Sequence, residues 1–218
     1  MKKAMLLLLV CSPAWAVVNK LEYEYGRGSP RGSYHFGDWI KQEGPRGPEW
    51  SADFLHESSE RVYVGIGGGH FHSGDEVSQT LVPNTDATFS TRMTSILALG
   101  RLDLSSNPKL MPYAIVGIGW VRYSLVVQGV PATSWSDTGT SESRTLVDDA
   151  KNTVGYTAGL GVDLAVTDRL YIGIDARYQG AVKQHFDTSA AGQVATGTKE
   201  LTVPLGAFLL GAKVGVKY

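Results

Sequence analysis

Residues 154–178 alternate in hydrophobicity over two successive segments, and this pattern restricts the possible folds more than any other feature of the sequence. From 154 to 166 every second side chain is apolar or aromatic, and the side chains between them are small or polar. A turn at 167–169 follows, and the alternation then resumes from 170 to 178. A period of two residues is typical of β-strands with two different faces. The pattern therefore predicts an antiparallel hairpin.

Six further segments fit the same interpretation, so eight strands are predicted in all. The C-terminal segment alternates as regularly as the first two, whereas the two N-terminal segments alternate less cleanly. The predicted strands are residues 18–26, 50–54, 61–71, 89–104, 110–127, 154–166, 170–178 and 208–218.

The connections between these strands alternate strictly between short and long. The short turns are 57–60, 105–109 and 167–169, and the long polar loops are about 27–49, 72–88, 128–151 and 183–199. Short periplasmic turns and long extracellular loops are typical of outer-membrane barrels. We therefore predict an all-β fold, an eight-stranded antiparallel up-and-down transmembrane β-barrel, with both termini in the periplasm. The alternative is a soluble periplasmic β-sandwich that buries the apolar faces in an ordinary core.

The N-terminus has the three parts of a secretory signal peptide. Lys2 and Lys3 precede an apolar run at 4–10, and Ala-Trp-Ala at 14–16 forms a cleavage site. We predict a cleaved signal peptide over residues 1–16 and a barrel domain over residues 17–218. Cys11 is the single cysteine of the chain and lies in the predicted leader, so we expect no disulfide and no thiolate–metal site in the mature protein.

Charge and hydrophobic run lengths exclude two other classes of protein. The formal net charge is −1, which gives no indication of a nucleic-acid partner. Beyond the leader, no apolar stretch reaches the length of about eighteen residues that a membrane-spanning helix requires.

In a barrel, the polar face of each strand points into the lumen. Both signs of charge occur there in comparable number, and unpaired charges away from water are costly, so we expect them to form ion pairs. An eight-stranded barrel is narrow enough to be filled by side chains. We therefore predict a structural charge network that plugs the lumen, with an ion-conducting lumen as the alternative. The predicted lumen residues are Glu22, Glu24, Asp53, Arg92, Arg101, Asp103, Arg122, Asp163, Asp175, Arg177 and Lys213.

Aromatic residues are expected to form girdles at the two membrane–water interfaces. On the strand at 110–127 we assign Tyr113 and Tyr123 to the lipid face, and Trp120 and Arg122 to the lumen face. The predicted girdle includes Tyr113 and Tyr218 near the periplasmic interface, and Tyr123 and Tyr178 near the outer one. Tyr23, Tyr25 and Trp50 are further girdle candidates, whereas Tyr171 faces inward by parity and is assigned to packing in the lumen.

Several motifs in the second half of the chain resemble those of a known family. The segment M-P-Y-A-I-V-G-I-G at 111–119 is similar to the P-Y-x-x-x-G-x-G strand of the OmpA-like and opacity-type small outer-membrane β-barrels. The segments G-L-G-V-D at 159–163 and D-A-R-Y at 175–178 resemble the next hairpin of that family. The resemblance covers roughly residues 89–218. It implies a barrel with variable surface loops that serves envelope integrity, adhesion or host interaction, and it supplies no shared catalytic residue.

The C-terminal strand resembles the sorting signal that directs such chains to the barrel-assembly machinery. Its alternating residues are Phe208, Leu210, Val214, Val216 and Tyr218. The last residue is tyrosine, where phenylalanine is commoner in the family.

His70 and His72 point to the same side of a predicted strand and precede Ser73. This arrangement is a candidate for a metal site or for the His–Ser pair of a lipid-modifying enzyme. Two ligands fall short of the usual three or four, and the His–Ser motif that we associate with lipid A deacylases, near the C-terminal strands, is absent. We therefore predict no catalytic site, no metal and no cofactor.

The predicted function is structural, or surface binding through the extracellular loops of a protein in the cell outer membrane. The alternatives are a small channel for ions or hydrophobic solutes and, less favoured, a lipid-modifying enzyme. The expected partners are outer-membrane lipid and lipopolysaccharide, the barrel-assembly machinery, and a host or surface ligand at the loops. Basic residues in the first loop are candidates for contacts with anionic lipopolysaccharide headgroups, namely Arg27, Arg31, Lys41 and Arg46.

Overall fold

The computed structural model describes the chain from residue 19 to residue 218, except for 32, 37–38, 43–45, 74–75, 83–84, 130–143, 192, 194–198 and 204. The predicted signal peptide lies outside the described residues. The strands are β1 (Asn19–Arg31), β2 (Ser33–Phe36), β3 (Trp39–Gln42), β4 (Gly47–Ser59), β5 (Val62–His72), β6 (Glu76–Val82), β7 (Thr85–Asp103), β8 (Leu110–Gly129), β9 (Arg144–Ala165), β10 (Leu170–Ala181), β11 (Gln184–Asp187), β12 (Glu200–Val203) and β13 (Gly206–Lys217).

Eight long strands close into a barrel. Following the chain, these are β1, β4, β5, β7, β8, β9, β10 and β13, and each pairs with the next in antiparallel orientation. Pairing of β13 with β1 and of β5 with β7 completes the ring. The predicted fold class is therefore confirmed, and the alternative of a β-sandwich is wrong. Closure gives every wall strand two neighbours, which is the condition for a sheet to cross lipid without unpaired backbone groups.

The strands are tilted relative to the barrel axis. A row of paired residues that leaves β1 at one position returns to β1 ten residues further along. The row is Lys20, Leu55, Gly65, Leu99, Gly117, Thr157, Gln179, Ala207 and Pro30. Such a stagger is inseparable from strand tilt in a closed barrel. Two paired residues on neighbouring strands therefore lie at different heights along the barrel axis, and the difference is about one residue.

We call the end with the short connections and the chain termini the turn end, and the opposite end the loop end. Between them the outer wall is apolar, with Ile174, Leu160 and Ile118 each more than 60 % exposed. Large apolar side chains outside and charged ones inside are the arrangement expected of a barrel in lipid. No helix within the described residues is long and apolar enough to cross a membrane.

The structure reverses the predicted faces of β8. Tyr113 and Tyr123 are buried in the interior, so they are not girdle residues, whereas Trp120 and Arg122 are exposed on the outer wall. The prediction is wrong here because β8 is apolar on both faces, with Val116 and Ile118 on the outside. Periodicity alone does not orient such a strand.

Arg92 also lies on the outer wall instead of in the lumen. It is nine positions from Arg101, which is buried, and an odd separation in an unbroken strand places two side chains on opposite faces. The strand β7 pairs with β8 without a shift in register from Ala87 to Asp103. The prediction is wrong because it grouped residues of opposite parity.

Several wall strands are much longer than a membrane crossing requires. Strand β8 has 20 residues and β9 has 22, whereas about ten residues suffice for a tilted strand. The predicted long loops also contain strands. A second sheet at the loop end has the order β11-β12-β2-β3, and β6 pairs with β7. Polar sequence therefore does not imply irregular structure here, because the ladders satisfy the backbone groups beyond the membrane.

Candidate functional site

Arg101 is the centre of an ion-pair network in the turn-end half of the interior. Its side chain is buried, and its Nε donates to Asp103 Oδ1 at 2.7 Å. Nη2 donates to Asp163 Oδ2 at 2.6 Å, and Nη1 donates to Glu22. One guanidinium thus joins carboxylates from β1, β7 and β9, because it presents several donors in a planar fork.

Two lysines complete this turn-end network. The Nζ atom of Lys213 lies 3.0 Å from both Glu22 Oε2 and Asp163 Oδ1. The Nζ atom of Lys20 lies 2.7 Å from Asp103 Oδ2. Together with the central arginine, three cations therefore contact three carboxylates, and the turn-end network is electrically balanced.

A buried tyrosine covers these charges. The ring centroid of Tyr113 is 3.7 Å from Arg101 Cζ and 3.9 Å from Lys213 Nζ. Its hydroxyl group donates a hydrogen bond to Asp175. Tyr171 also lies inside, as predicted, and is 1 % exposed. Aromatic faces attract cations, so the tyrosine ring both fills the lumen and stabilises the network.

Arg177 is the centre of a second network, closer to the loop end. Its Nε donates to Asp175 Oδ1 at 2.8 Å, and its Nη1 donates to Asp53 Oδ2 at 2.9 Å. Nη2 lies 3.3 Å from Glu24 Oε2, and Glu49 is buried and lines the same cavity as Arg177 and Asp53. Buried carboxyl groups therefore outnumber buried cations only in this second network.

Most of the predicted lumen charges come together in these two networks. The buried ones are Glu22, Glu24, Asp53, Arg101, Asp103, Asp163, Asp175, Arg177 and Lys213. Lys20 and Glu49 are buried as well, and each shares the parity of a predicted lumen residue on its own strand. Burial of both was therefore detectable from the alternation.

Apolar side chains fill the loop-end half of the interior. They are Phe71, Met93, Leu97, Leu99, Val121, Tyr123, Leu125, Val127 and Leu209. This cluster continues beyond the wall through Phe186 of β11 and Leu201 of β12, which are fully buried. The rings of Tyr123 and Phe186 lie 5.8 Å apart. The described interior is thus polar at the turn end and apolar at the loop end.

Charged side chains attach the second sheet to the wall. Lys151 Nζ lies 2.9 Å from Asp149 Oδ2 and 3.0 Å from Asp187 Oδ2, and the backbone N–H of Asp187 donates to Asp149. Partial burial acts to raise the pKa of Asp149, but the hydrogen bonds from Asp187 and Lys151 outweigh it and hold that pKa below its usual range. The carboxylate therefore stays ionised and keeps β11 joined to β9.

Exposed aromatic residues surround the outer wall near the loop end, and we call them the loop-end belt. They are Tyr25, Trp50, Trp120, Tyr156, Tyr178 and Phe208. Among the predicted girdle residues, Tyr25, Trp50 and Tyr178 are part of this belt, and Tyr218 is exposed at the turn end. The belt marks the position of a membrane–water interface.

The predicted C-terminal signal residues all lie on the outer face of β13. Phe208, Leu210, Val214, Val216 and Tyr218 are between 40 % and 61 % exposed. The last residue also pairs with the first described one, since Tyr218 N and Asn19 O are 3.1 Å apart. The strand therefore presents an apolar stripe along the seam where the barrel closes.

The two histidines of β5 do not form a catalytic arrangement with their neighbours. His70 Nδ1 lies 3.0 Å from Thr94 Oγ1, and its ring centroid is 6.0 Å from that of Trp50. The hydroxyl of Ser73 bonds to the backbone of Thr91 instead of to a histidine. Within the described part of the chain, no group of three or more His, Cys, Asp or Glu side chains is placed to hold a metal ion.

The family of the chain follows from its sequence. The model of the outer membrane protein beta-barrel domain matches residues 4–214, and the chain belongs to this family. It is therefore an outer-membrane protein, surrounded by the lipid and lipopolysaccharide of that membrane. No curated protein matches the sequence.

Solved structures of small outer-membrane barrels share the fold. Neisserial surface protein A has a TM-score of 0.52 and 14 % identity over 95 % of this chain and 100 % of its own. OprG from Pseudomonas aeruginosa has a TM-score of 0.57 and 12 % identity over 92 % and 96 %. A major outer membrane protein from Thermus thermophilus has a TM-score of 0.50 and 12 % identity over 92 % and 99 %. At these identities the similarity concerns the fold alone.

Proposed function

We propose that the protein is a non-enzymatic, non-conducting surface protein that presents a raised β-structure outside the cell for binding. The turn end lies in the periplasm and the loop end outside, as the lengths of the connections favour. Residues 1–16 are the cleaved leader. The barrel-assembly machinery recognises the apolar stripe of β13. The observation that carries the proposal is the length of β8 and β9, which is about twice that of a membrane crossing.

The extension beyond the membrane is suited to recognition because it is ordered by its own contacts. Apolar packing continues into it through Phe186 and Leu201, and Lys151 joins β11 to β9. A rigid binding surface loses less conformational entropy on binding than a flexible loop does. The protein thus supports a partner-binding surface well above the lipid headgroups.

Two alternatives lack this support. A channel for ions needs a polar path and a channel for hydrophobic solutes needs an open passage, whereas ion pairs fill one half of the described interior and apolar side chains fill the other. A lipid-modifying enzyme needs an activated nucleophile, whereas Ser73 bonds to backbone and His70 contacts a threonine.

Shortening the extension is expected to abolish binding. Val126 and Asp148 pair directly across β8 and β9, so residues 127–147, which include the last residues of β8 and the first of β9, can be replaced by Asn-Gly, which favours a tight hairpin turn. We expect bacteria that express the shortened protein to lose adhesion to a cultured epithelial monolayer, while the barrel keeps its heat-modifiable migration in gels. Lys109→Gln, at the turn end, is the control and should adhere like the wild type. Full adhesion by the shortened protein would contradict the proposal.

The filled interior predicts electrical silence. The purified wild-type barrel is expected to produce no discrete conductance steps in planar bilayers, because ion pairs and the apolar cluster fill the described part of the interior. A sixteen-stranded porin in the same bilayers serves as the positive control. Reproducible steps from the folded protein, absent after heat denaturation, would establish the channel alternative.

A further inference from the structure

Two arginines point out of the barrel on adjacent strands. Arg92 lies on β7 and pairs with Ser124, while Arg122 lies on β8 and pairs with Thr94. The two arginines are therefore diagonal neighbours on one face, a relation that brings Cα atoms to within about 7–8 Å. Both are exposed. A pair of positive charges therefore lies on the outer wall, whose other large exposed side chains are mostly apolar.

The tilt of the strands brings both arginines to the same height. A residue of β8 lies about one residue closer to the loop end than its paired residue on β7. Ser124 is the residue of β8 that pairs with Arg92, so the β8 position at the same height as Arg92 is close to Arg122. Trp120 precedes Arg122 by two residues and belongs to the loop-end belt. Two residues of a tilted strand correspond to about 5 Å along the membrane normal. The guanidinium groups therefore lie just outside the aromatic belt, where lipid headgroups begin.

No carboxylate neutralises this pair within the described residues. Arg92 and Arg122 take part in none of the ion pairs there, unlike Arg101 and Arg177 inside the barrel. Two like charges at this separation repel each other, and an anion between them removes that cost. Thr94 and Ser124 occupy the other two corners of the cluster. Thr94 Oγ1 also lies 3.0 Å from His70 Nδ1, and when that nitrogen donates to it, the Thr94 hydroxyl keeps its own proton for an anion.

We propose that Arg92, Arg122, Thr94 and Ser124 form a binding site for a phosphate group of the glycolipid in the outer leaflet, on the outer wall of the barrel. Guanidinium groups bind phosphate through two parallel hydrogen bonds, and hydroxyl groups donate to its remaining oxygens. The acyl chains of the lipid then lie along the exposed apolar face formed by Ile96 and Ile118. The site rests on the proposed orientation of the loop end, and it is separate from the binding surface of the extension.

The test measures lipid retention by native mass spectrometry of the folded, detergent-solubilised protein. Bisphosphorylated lipid A is the probe, and dephosphorylated lipid A, phosphatidylglycerol and inorganic phosphate are the comparison ligands. The wild type is expected to prefer bisphosphorylated lipid A. The R92Q/R122Q variant should bind it about a hundredfold more weakly, because it removes both charged hydrogen-bond donors, and this change corresponds to about 2.8 kcal/mol at about 1.4 kcal/mol per factor of ten. R92K/R122K keeps the charge without the planar fork and should be intermediate.

A matched control separates this site from general charge effects. K109Q/R169Q removes two exposed cations at the turn end and should bind lipid A like the wild type. Unchanged binding by R92Q/R122Q, or an equal loss in the control, would overturn the proposal. Equal binding of phosphatidylglycerol or dephosphorylated lipid A by the wild type would overturn the assignment to a glycolipid phosphate. Heat-modifiable migration of each variant verifies folding, and the conductance and adhesion tests of the proposed function are independent of this result.

Discussion

Replacing Arg101 with methionine is expected to lower the free energy of unfolding by about 3–5 kcal/mol, the usual cost of breaking a buried ion pair from one side. Methionine preserves much of the side-chain volume but removes the donors that reach Glu22, Asp103 and Asp163. The buried carboxylates then outnumber the buried cations of the turn-end network by one. The urea midpoint of the refolded barrel in phospholipid vesicles, followed by tryptophan fluorescence, measures the loss.

A second substitution tests whether the loss is electrostatic. Adding D163N to R101M restores the balance, because Lys213 still contacts Glu22 and Lys20 still contacts Asp103. The double variant should therefore be more stable than R101M alone. If D163N instead destabilises further by the amount it costs in the wild type, the two residues are not coupled and the network does not stabilise the lumen in the way we describe.

Replacing Tyr113 with alanine is expected to cost about 3–5 kcal/mol, the range for removing a large aromatic side chain from a packed interior. The ring is fully buried, covers Arg101 and Lys213, and packs against Gly161 of β9. No other side chain of β8 or β9 at this register fills the space, because the residue directly opposite is a glycine. The same urea titration measures the effect.

Tyr113→Phe is the matched control for the ring. It keeps the packing and the aromatic face but removes the hydroxyl that donates to Asp175, so we expect a loss of about 1–2 kcal/mol. A loss equal to that of the alanine variant would assign the stabilisation to the hydrogen bond alone. A change below about 1 kcal/mol for alanine would mean that the ring is not an essential part of the core.

The sequence predicted well where the two faces of a strand differ in polarity. Residues 154–178 carry apolar side chains on one face and mostly small or polar ones on the other, and β9 and β10 have the expected orientation. Asp163, Asp175 and Arg177 could be assigned to the lumen for the same reason. Alternation is a local property of the chain, so a single strand reports it without knowledge of its neighbours.

Prediction failed where both faces are apolar. On β8, the inward Ile115 and Val121 are as hydrophobic as the outward Val116 and Ile118, and only the pairing with β7 and β9 decides which set points inward. The interior of the loop-end half is itself apolar, so the rule that lumen residues are polar does not hold there. The misplacement of Arg122 follows from that rule.

The chain alone determined the number of wall strands, their up-and-down order and the presence of charges inside. These features follow from the period of two residues and from the lengths of the connections, which are properties of short sequence segments. Only the tertiary structure decided which carboxylate each cation contacts, how far the strands continue beyond the membrane, and that Arg122 faces outward. These properties depend on register around the closed ring, where every strand is positioned by two neighbours that are distant in sequence.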